Sequence, residues 1–136
     1  MDRSIFKAYD VRGKYPREIN RSVIRTITRA LVARLSPRKK TMRIIIGHDA
    51  RRSSGPLYRE ALRTALADRR PKEIFAAGLI TTPTLYMLVN TLRADGGMMI
   101  TASHDPKNYN GVKMVGPRAV PISGTDAYGI VSSLGH

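Results

Sequence analysis

Residues 42–66 have the sequence MRIIIGHDARRSSGPLYREALRTAL, which predicts a strand followed by a helix. Met42–Ile46 is a short apolar run, rich in β-branched side chains, as in a buried strand. Ser53–Ser54 can cap the following helix, and Pro56 suits its first turn. Apolar residues then recur with helical spacing at Leu57, Ala61, Leu62, Ala65 and Leu66.

The same alternation of strands and helices continues on both sides of this stretch. An apolar face predicts a helix over roughly 20–35. Glu73–Ala77 and Gly97–Ala102 predict two further strands, with a helix starting at Thr82 between them. Val112–Val115 predicts a strand that can pair back antiparallel, and the last dozen residues a short helix. We therefore predict an α/β fold, a three-layer α/β/α domain with a mixed, mainly parallel sheet.

Composition restricts the class of protein. The chain has 136 residues with 42% hydrophobic side chains, enough for one domain with a core. It has no cysteine, which excludes a disulfide framework and a cysteine zinc site. No apolar run reaches the roughly 18 residues of a membrane span, and no signal peptide is visible, so we expect a cytoplasmic protein without membrane contact.

The charge is strongly positive. Lys and Arg number 24 against 10 Asp and Glu, a net charge of +14, which should attract nucleic acid or phosphorylated small molecules. Nucleic acid is the weaker candidate, because the chain has no Trp and only 2 Phe for base stacking. The densest basic run, residues 36–40, is predicted to be a surface loop.

Ligands of parallel α/β sheets bind beyond the carboxyl ends of the strands. The densest polar cluster, Thr101–Lys113 (TASHDPKNYNGVK), follows such an end. There the Ser103 hydroxyl is flanked by His104 and by two lysines, an arrangement that suits a serine carrying a phosphoryl group. The alternative is an ordinary turn. A serine hydrolase is disfavoured, because the Gly-x-Ser-x-Gly elbow is missing.

Three segments resemble a known family. Thr101–Pro106 (TASHDP) with Tyr109–Lys113 (YNGVK) resembles the phosphoserine loop of the α-D-phosphohexomutase superfamily, which includes phosphomannomutase/phosphoglucomutase. Phe6–Gly13 (FKAYDVRG) resembles the N-terminal Tyr-Asp-Ile-Arg-Gly segment of that family. Ile46–Ser54 (IGHDARRSS) resembles its Gly-x-Asp-x-Arg-x-Ser segment. The segments follow the family's order and cover nearly the whole chain.

The resemblance implies roles for individual residues. Ser103 would be the phosphoserine that exchanges its phosphoryl group with a hexose 1-phosphate or 6-phosphate, and its phosphate would ligate Mg²⁺. His104 would shape the loop as part of the catalytic set. Arg12 and Lys113 would bind substrate and stabilise the transferring group, and Lys113 would handle the proton of the sugar hydroxyl. Tyr9 would border the substrate.

A second set of residues would support the loop: Asp49, Arg51, Asp105, Asn110 and Gly111. At Asp105 the sequence departs from the family, which usually has asparagine there. A carboxylate beside a phosphoserine repels it by like charge unless it is paired, and we expect Lys107 or Lys113 to pair it.

The resemblance also implies what is missing. Residues 1–136 look like domain I of a four-domain enzyme, with domains II–IV absent. The family's Asp-x-Asp-x-Asp-Arg metal loop has no counterpart, because no two aspartates stand at i and i+2. Mg²⁺ and the activator hexose 1,6-bisphosphate are expected for the full enzyme. The chain alone should be inactive unless other domains or another chain complete it, and we expect self-association. The alternative is a non-catalytic mutase-like module that binds a partner chain or a polyanion.

Overall fold

The structure is a computed structural model and describes residues 1–35 and 41–135. The basic run predicted to be a loop, residues 36–40, lies outside the described residues. Within the part of the chain that is described, no helix is long and apolar enough to cross a membrane.

The described residues form six strands and four α-helices. The strands are β1 (Val11–Lys14), β2 (Met42–His48), β3 (Lys72–Leu79), β4 (Gly96–Ile100), β5 (Tyr109–Val115) and β6 (Pro121–Ile122). The helices are α1 (Arg21–Leu35), α2 (Ser54–Ala67), α3 (Thr82–Thr91) and α4 (Gly124–Ser133). Short 3₁₀ turns lie at Arg3–Ile5 and Pro117–Ala119.

All six strands belong to one sheet, in the order β1-β5-β4-β2-β3, with β6 also paired to β5. Strand β2 is parallel to β3 and β4, whereas β5 is antiparallel to β4, β1 and β6. All strands except β5 therefore run in the same direction. The predicted mixed, mainly parallel sheet is confirmed, as is the antiparallel return of β5.

Alternation along β2 divides the core between two layers of helices. Ile44 and Ile46 face a large apolar cluster that includes residues of α1, α2 and α4. Ile45 points to the other face, where it packs with Leu85 and Val89 of α3. Each fully buried isoleucine contributes roughly 1.5–3 kcal/mol through removal of apolar surface from water. Three helices on one face and one on the other give the predicted α/β/α layers.

Local signals explain most element boundaries. Helix α1 follows Asn20, whose side-chain oxygen accepts the backbone N–H of Val23 at 3.1 Å. Strand β3 is longer than predicted, since it continues through a bulge at Gly78, which has a φ of +69°. The hydroxyl of Tyr58 accepts the Gly78 N–H at 3.0 Å. Ser53 is the N-cap residue of α2, as predicted, but its side chain makes no capping hydrogen bond.

Strand β1 can approach β5 closely because of a glycine. Arg12 lies opposite Gly111, and a Cβ at residue 111 would overlap the carbonyl oxygen of Val11 and the backbone of Arg12. The missing side chain therefore determines how near Arg12 lies to the loop that precedes β5.

We expect Gly111→Ala to destabilise the fold by about 2 kcal/mol, because the added methyl overlaps backbone atoms that cannot move independently of the sheet. The measurement is urea unfolding followed by circular dichroism. Gly129→Ala is the matched control: its added Cβ meets no neighbour within helix α4, so it should stabilise by about 0.5 kcal/mol. Equal effects of the two changes would contradict this packing argument.

Candidate active site

Three loops meet at the carboxyl ends of the parallel strands. The loop after β2 is joined to the end of β4, because the N–H of Asp49 donates to the carbonyl of Ile100 at 3.0 Å. The loop after β3 is joined to β2 by the N–H of Ile80, which donates to the carbonyl of His48 at 3.1 Å. The three loops thus lie at one edge of the sheet, where such folds bind ligands.

The side chain of Arg51 holds the loop that carries Ser103 (the serine loop, residues 101–109) through hydrogen bonds to the backbone of that loop. Its guanidinium donates to four carbonyl oxygens of that loop, at 3.0 Å to Ser103, 2.7 Å to Asp105, 2.7 Å to Pro106 and 3.3 Å to Tyr109. The Nε of Arg51 faces Asp49 Oδ2 at 3.3 Å. Because the loop has few hydrogen bonds of its own, this one planar cation sets its shape.

Ser103 lies exposed in a strained conformation. Its φ is +56°, in the left-handed region that costs a non-glycine residue about 1–2 kcal/mol. The N–H of Ser103 donates to Thr101 Oγ1 at 3.0 Å. The groove beside the serine is lined mostly by polar side chains and charged side chains of both signs: Tyr15, Asp49, Arg51, Arg52, Ser53, Asp105 and Lys107. The strain persists because Arg51 holds the carbonyl of Ser103 itself and that of Asp105, two residues later.

A buried polar network lies under the loop. Asn110 is fully buried, and its amide donates to Ser53 Oγ at 2.6 Å and to Ser54 Oγ at 3.0 Å. Ser54 donates in turn to Asp49 Oδ1 at 2.5 Å. The side-chain oxygen Oδ1 of Asn110 accepts the backbone N–H of Gly111 at 2.8 Å. The two serines that were expected to cap α2 are used here instead, and they connect β5 to the loop that carries Arg51.

A second charged cluster lies on the strands beside the loop. The carboxylate of Asp10, only 3% exposed, accepts Arg12 Nε at 2.8 Å and faces Lys113 Nζ at 3.4 Å. Asp10 was not among the predicted site residues. The sequence could have indicated the pair of Asp10 and Arg12, because the aspartate stands two residues before the arginine in Phe6–Gly13. It could not have indicated Lys113, which strand pairing brings to Asp10 from far along the chain.

The predicted partner of Asp105 is wrong. Among the described residues, Asp105 pairs with Arg12, whose Nη1 lies 3.3 Å from Asp105 Oδ2, and not with Lys107 or Lys113. The register explains this: Arg12 stands opposite Gly111, next to the loop, whereas Lys113 is two residues further along β5 and faces Asp10.

Two predicted site residues stay outside these networks. Tyr9 is 76% exposed, and His104 is also exposed. Neither side chain makes a hydrogen bond within the described residues. The structure therefore joins Arg51 to the Ser103 carbonyl, Asp105 to Arg12, and Lys113 to Arg12 through Asp10, while Tyr9 and His104 face solvent.

The described residues do not form a metal site by themselves. They contain no group of three His, Asp or Glu side chains that could hold a metal ion. The carboxylates near Ser103 are occupied by arginines, Asp49 by Arg51 and Asp105 by Arg12.

Fold and site together define a class: an α/β/α domain that presents an exposed serine on an arginine-held loop at the carboxyl edge of its sheet. Residues 3–135 match the family described as phosphoglucomutase/phosphomannomutase, alpha/beta/alpha domain I. The chain belongs to this family.

Individual relatives agree with that assignment. The chain is 42% identical over 118 residues to a protein of Xanthomonas campestris pv. campestris named phosphohexose mutases, covering 87% of this chain and 25% of the relative. It is 41% identical over 119 residues to a phosphomannomutase of Klebsiella pneumoniae, covering 88% of this chain and 72% of the relative. The chain spans about a quarter of the length of most of these curated relatives.

A solved structure shares the fold. A phosphoglucomutase/phosphomannomutase family protein of Burkholderia thailandensis superposes with a TM-score of 0.82 at 27% identity, over 98% of this chain and 31% of that one. The relatives carry enzyme names, so the family is enzymatic.

We expect Arg51→Lys to loosen the serine loop. A lysine ammonium cannot reach four carbonyls and a carboxylate at once, and hydrogen bonds from a charged donor are among the stronger ones. Amide hydrogen exchange at Asp105 and Tyr109 should accelerate about tenfold or more. Arg52→Lys, on an exposed neighbour, is the control and should leave these rates unchanged. Equal exchange in both variants would refute the clamp.

We expect Asp10→Asn to destabilise the domain by about 2 kcal/mol, because Arg12 and Lys113 lose their shared anion. The partial exposure of both cations reduces the effect below that of a fully buried pair. Glu73→Gln removes the same charge from an exposed pair with Arg43 and should change stability by less than about 0.5 kcal/mol. Denaturant unfolding of both variants gives the comparison; a loss no larger than that of Glu73→Gln would count against Asp10.

Proposed function

We propose that this chain is the catalytic-serine domain of a phosphohexomutase, and that Ser103 carries the phosphoryl group exchanged between hexose 1-phosphate and hexose 6-phosphate. The observation that supports this most directly is the serine loop itself. An exposed hydroxyl in a strained turn, held by Arg51 and bordered by Arg52 and Lys107, suits a group that must accept and release a phosphoryl group.

The charge around the loop supports the same proposal. Phosphoryl transfer needs charge neutralisation and positioning more than covalent chemistry. Arg12 and Lys113 project from neighbouring strands, and the buried Asp10 holds both. We assign to Arg12 and Lys113 the stabilisation of the transferring group, and to Asp10 their orientation.

In the first half of the proposed reaction, the phosphoryl group leaves Ser103 for the sugar. The bond between phosphorus and Ser103 Oγ breaks while a bond forms between phosphorus and a hydroxyl oxygen of the sugar. The electron pair of the broken bond stays on Ser103 Oγ, which takes up a proton as the sugar hydroxyl loses one. We assign this proton transfer to the Lys113 ammonium, held 3.4 Å from the Asp10 carboxylate, which gives a proton to Oγ and takes the one that the sugar loses. The second half of the reaction returns the other phosphoryl group to Ser103. His104 and Tyr9, both exposed, would border the substrate.

Mg²⁺, when bound, would neutralise charge on the transferring group. Since the described residues offer only a phosphate on Ser103, we propose that its other ligands come from the remaining domains of a full-length enzyme. The same domains would choose the sugar and bind the activator hexose 1,6-bisphosphate. We therefore propose that residues 1–136 do not turn over substrate unaided.

Exposed apolar side chains favour contact with another chain or domain. Phe75 and Leu79 on the edge strand β3 are 44% and 65% exposed, and Leu66 is 69% exposed. Such surface favours association. A second candidate function follows from it and from the net charge of +14: a non-catalytic module that binds a partner chain or a polyanion.

Ser103→Ala distinguishes the two functions. The chain is exposed to glucose 1,6-bisphosphate and Mg²⁺, and its intact mass and peptide map are recorded. We expect the unaltered chain to gain one phosphoryl group on the peptide containing Ser103 and the variant to gain none, since the nucleophilic hydroxyl is removed. Ser132→Ala, on an exposed turn of α4, is the control and should label like the unaltered chain.

If the unaltered chain and Ser103→Ala label equally, the phosphate lies elsewhere and the phosphoserine assignment is wrong. If neither labels, while both bind a polyanion equally, the binding module becomes the better supported function.

A further inference from the structure

Arg12 has one firm and one loose carboxylate partner. Its Nε donates to Asp10 at 2.8 Å, a normal charge-assisted hydrogen bond. Its Nη1 is shared between the two oxygens of Asp105, at 3.4 and 3.3 Å, which is long for such a bond. The Arg12 guanidinium is therefore bound firmly by Asp10 and weakly by Asp105.

The two partners also differ in burial. The side chain of Asp10 is 3% exposed, whereas those of Asp105 and Arg12 are each 31% exposed. A long ion pair that water reaches contributes little, and it can be exchanged at small cost. The Asp10 contact keeps Arg12 in place whether or not Asp105 stays.

Asp105 lies where an anion next to Ser103 would meet Arg12. Asp105 and Ser103 line the same groove, and only one residue separates them in the loop. A carboxylate offers a guanidinium the same pair of acceptor oxygens as a phosphate does. We propose that Asp105 is an internal ligand of Arg12, and that Arg12 exchanges this carboxylate for the phosphate when one is present at Ser103. The source of that phosphate rests on the proposed function.

The local charge predicts how the removal of the Asp105 carboxylate changes phosphate binding. Arg12 and Lys113 are balanced by Asp10 and Asp105, so the cluster is neutral although the chain carries +14. An incoming phosphate must displace Asp105 from Arg12 and is also repelled by it. Asp105→Asn removes that competitor and the repulsion, and it keeps the size and shape of the side chain. The variant should therefore bind phosphate more tightly.

The first experiment titrates inorganic phosphate into the 136-residue chain and follows the Arg12 Nε–H signal by NMR. Asp105→Asn should lower the dissociation constant about fivefold, the size expected from one solvent-reached ion pair. Asp105→Glu keeps the charge and should stay within about twofold of the unaltered chain. Glu73→Gln removes a charge from a distant exposed pair and tests whether net charge alone explains the gain. A dissociation constant unchanged or raised in Asp105→Asn overturns the proposal, as does an equal gain in Glu73→Gln.

The second experiment follows labelling of Ser103 by glucose 1,6-bisphosphate over time, with peptide mass as the readout. We expect about fivefold faster labelling in Asp105→Asn, a gain that a misfolded variant cannot produce. If phosphate binding tightens but Ser103 is labelled in neither protein, the exchange at Arg12 stands and the phosphoserine chemistry fails. If Ser103 is labelled in both, with no gain in binding or rate, the phosphoserine stands and the exchange is refuted.

Discussion

The site depends on the four hydrogen bonds that the Arg51 guanidinium donates to the serine loop. The serine loop, residues 101–109, leaves carbonyl groups that need donors, and one guanidinium satisfies four of them. This fixes the positive φ of Ser103, which no local preference would maintain. Asp49 orients Arg51, and Ser54, the first residue of α2, donates to Asp49. The serine loop is therefore connected to helix α2 through these two side chains.

Charge is handled differently at the site and on the rest of the surface. The chain carries +14, yet two arginines of the site, Arg12 and Arg51, are each paired with an aspartate. Pairing keeps the guanidinium groups in defined positions, whereas free surface cations would only raise the local potential. Arg52 and Lys107, exposed in the groove, provide attraction without fixed geometry. A site of this kind combines cations held by carboxylates with cations exposed to solvent.

The sequence predicted the helices and the central strands, because apolar periodicity reports burial directly. It missed β1 and β6: Val11–Lys14 includes a glycine and two cations, and β6 has only two residues, so neither shows a strand pattern. Asp10 and the Arg12–Asp105 pair were missed for another reason. Both depend on strand register, which places residues about a hundred positions apart in contact, and no local pattern encodes that.

The uneven covering of the sheet explains why this edge can hold a site. Val11 and Val112 pair across β1 and β5 and point into the large cluster of helices α1, α2 and α4. Arg12 and Lys113, one residue further along each strand, must then point to the opposite face. The single helix of that face, α3, packs on β2 and β4 and leaves β1 and the adjoining part of β5 uncovered. Because no described helix covers them, the two cations reach solvent while Asp10 fixes them from below. A second helix there would have buried Arg12 and Lys113 together with Asp10, at the cost of removing two cations from water.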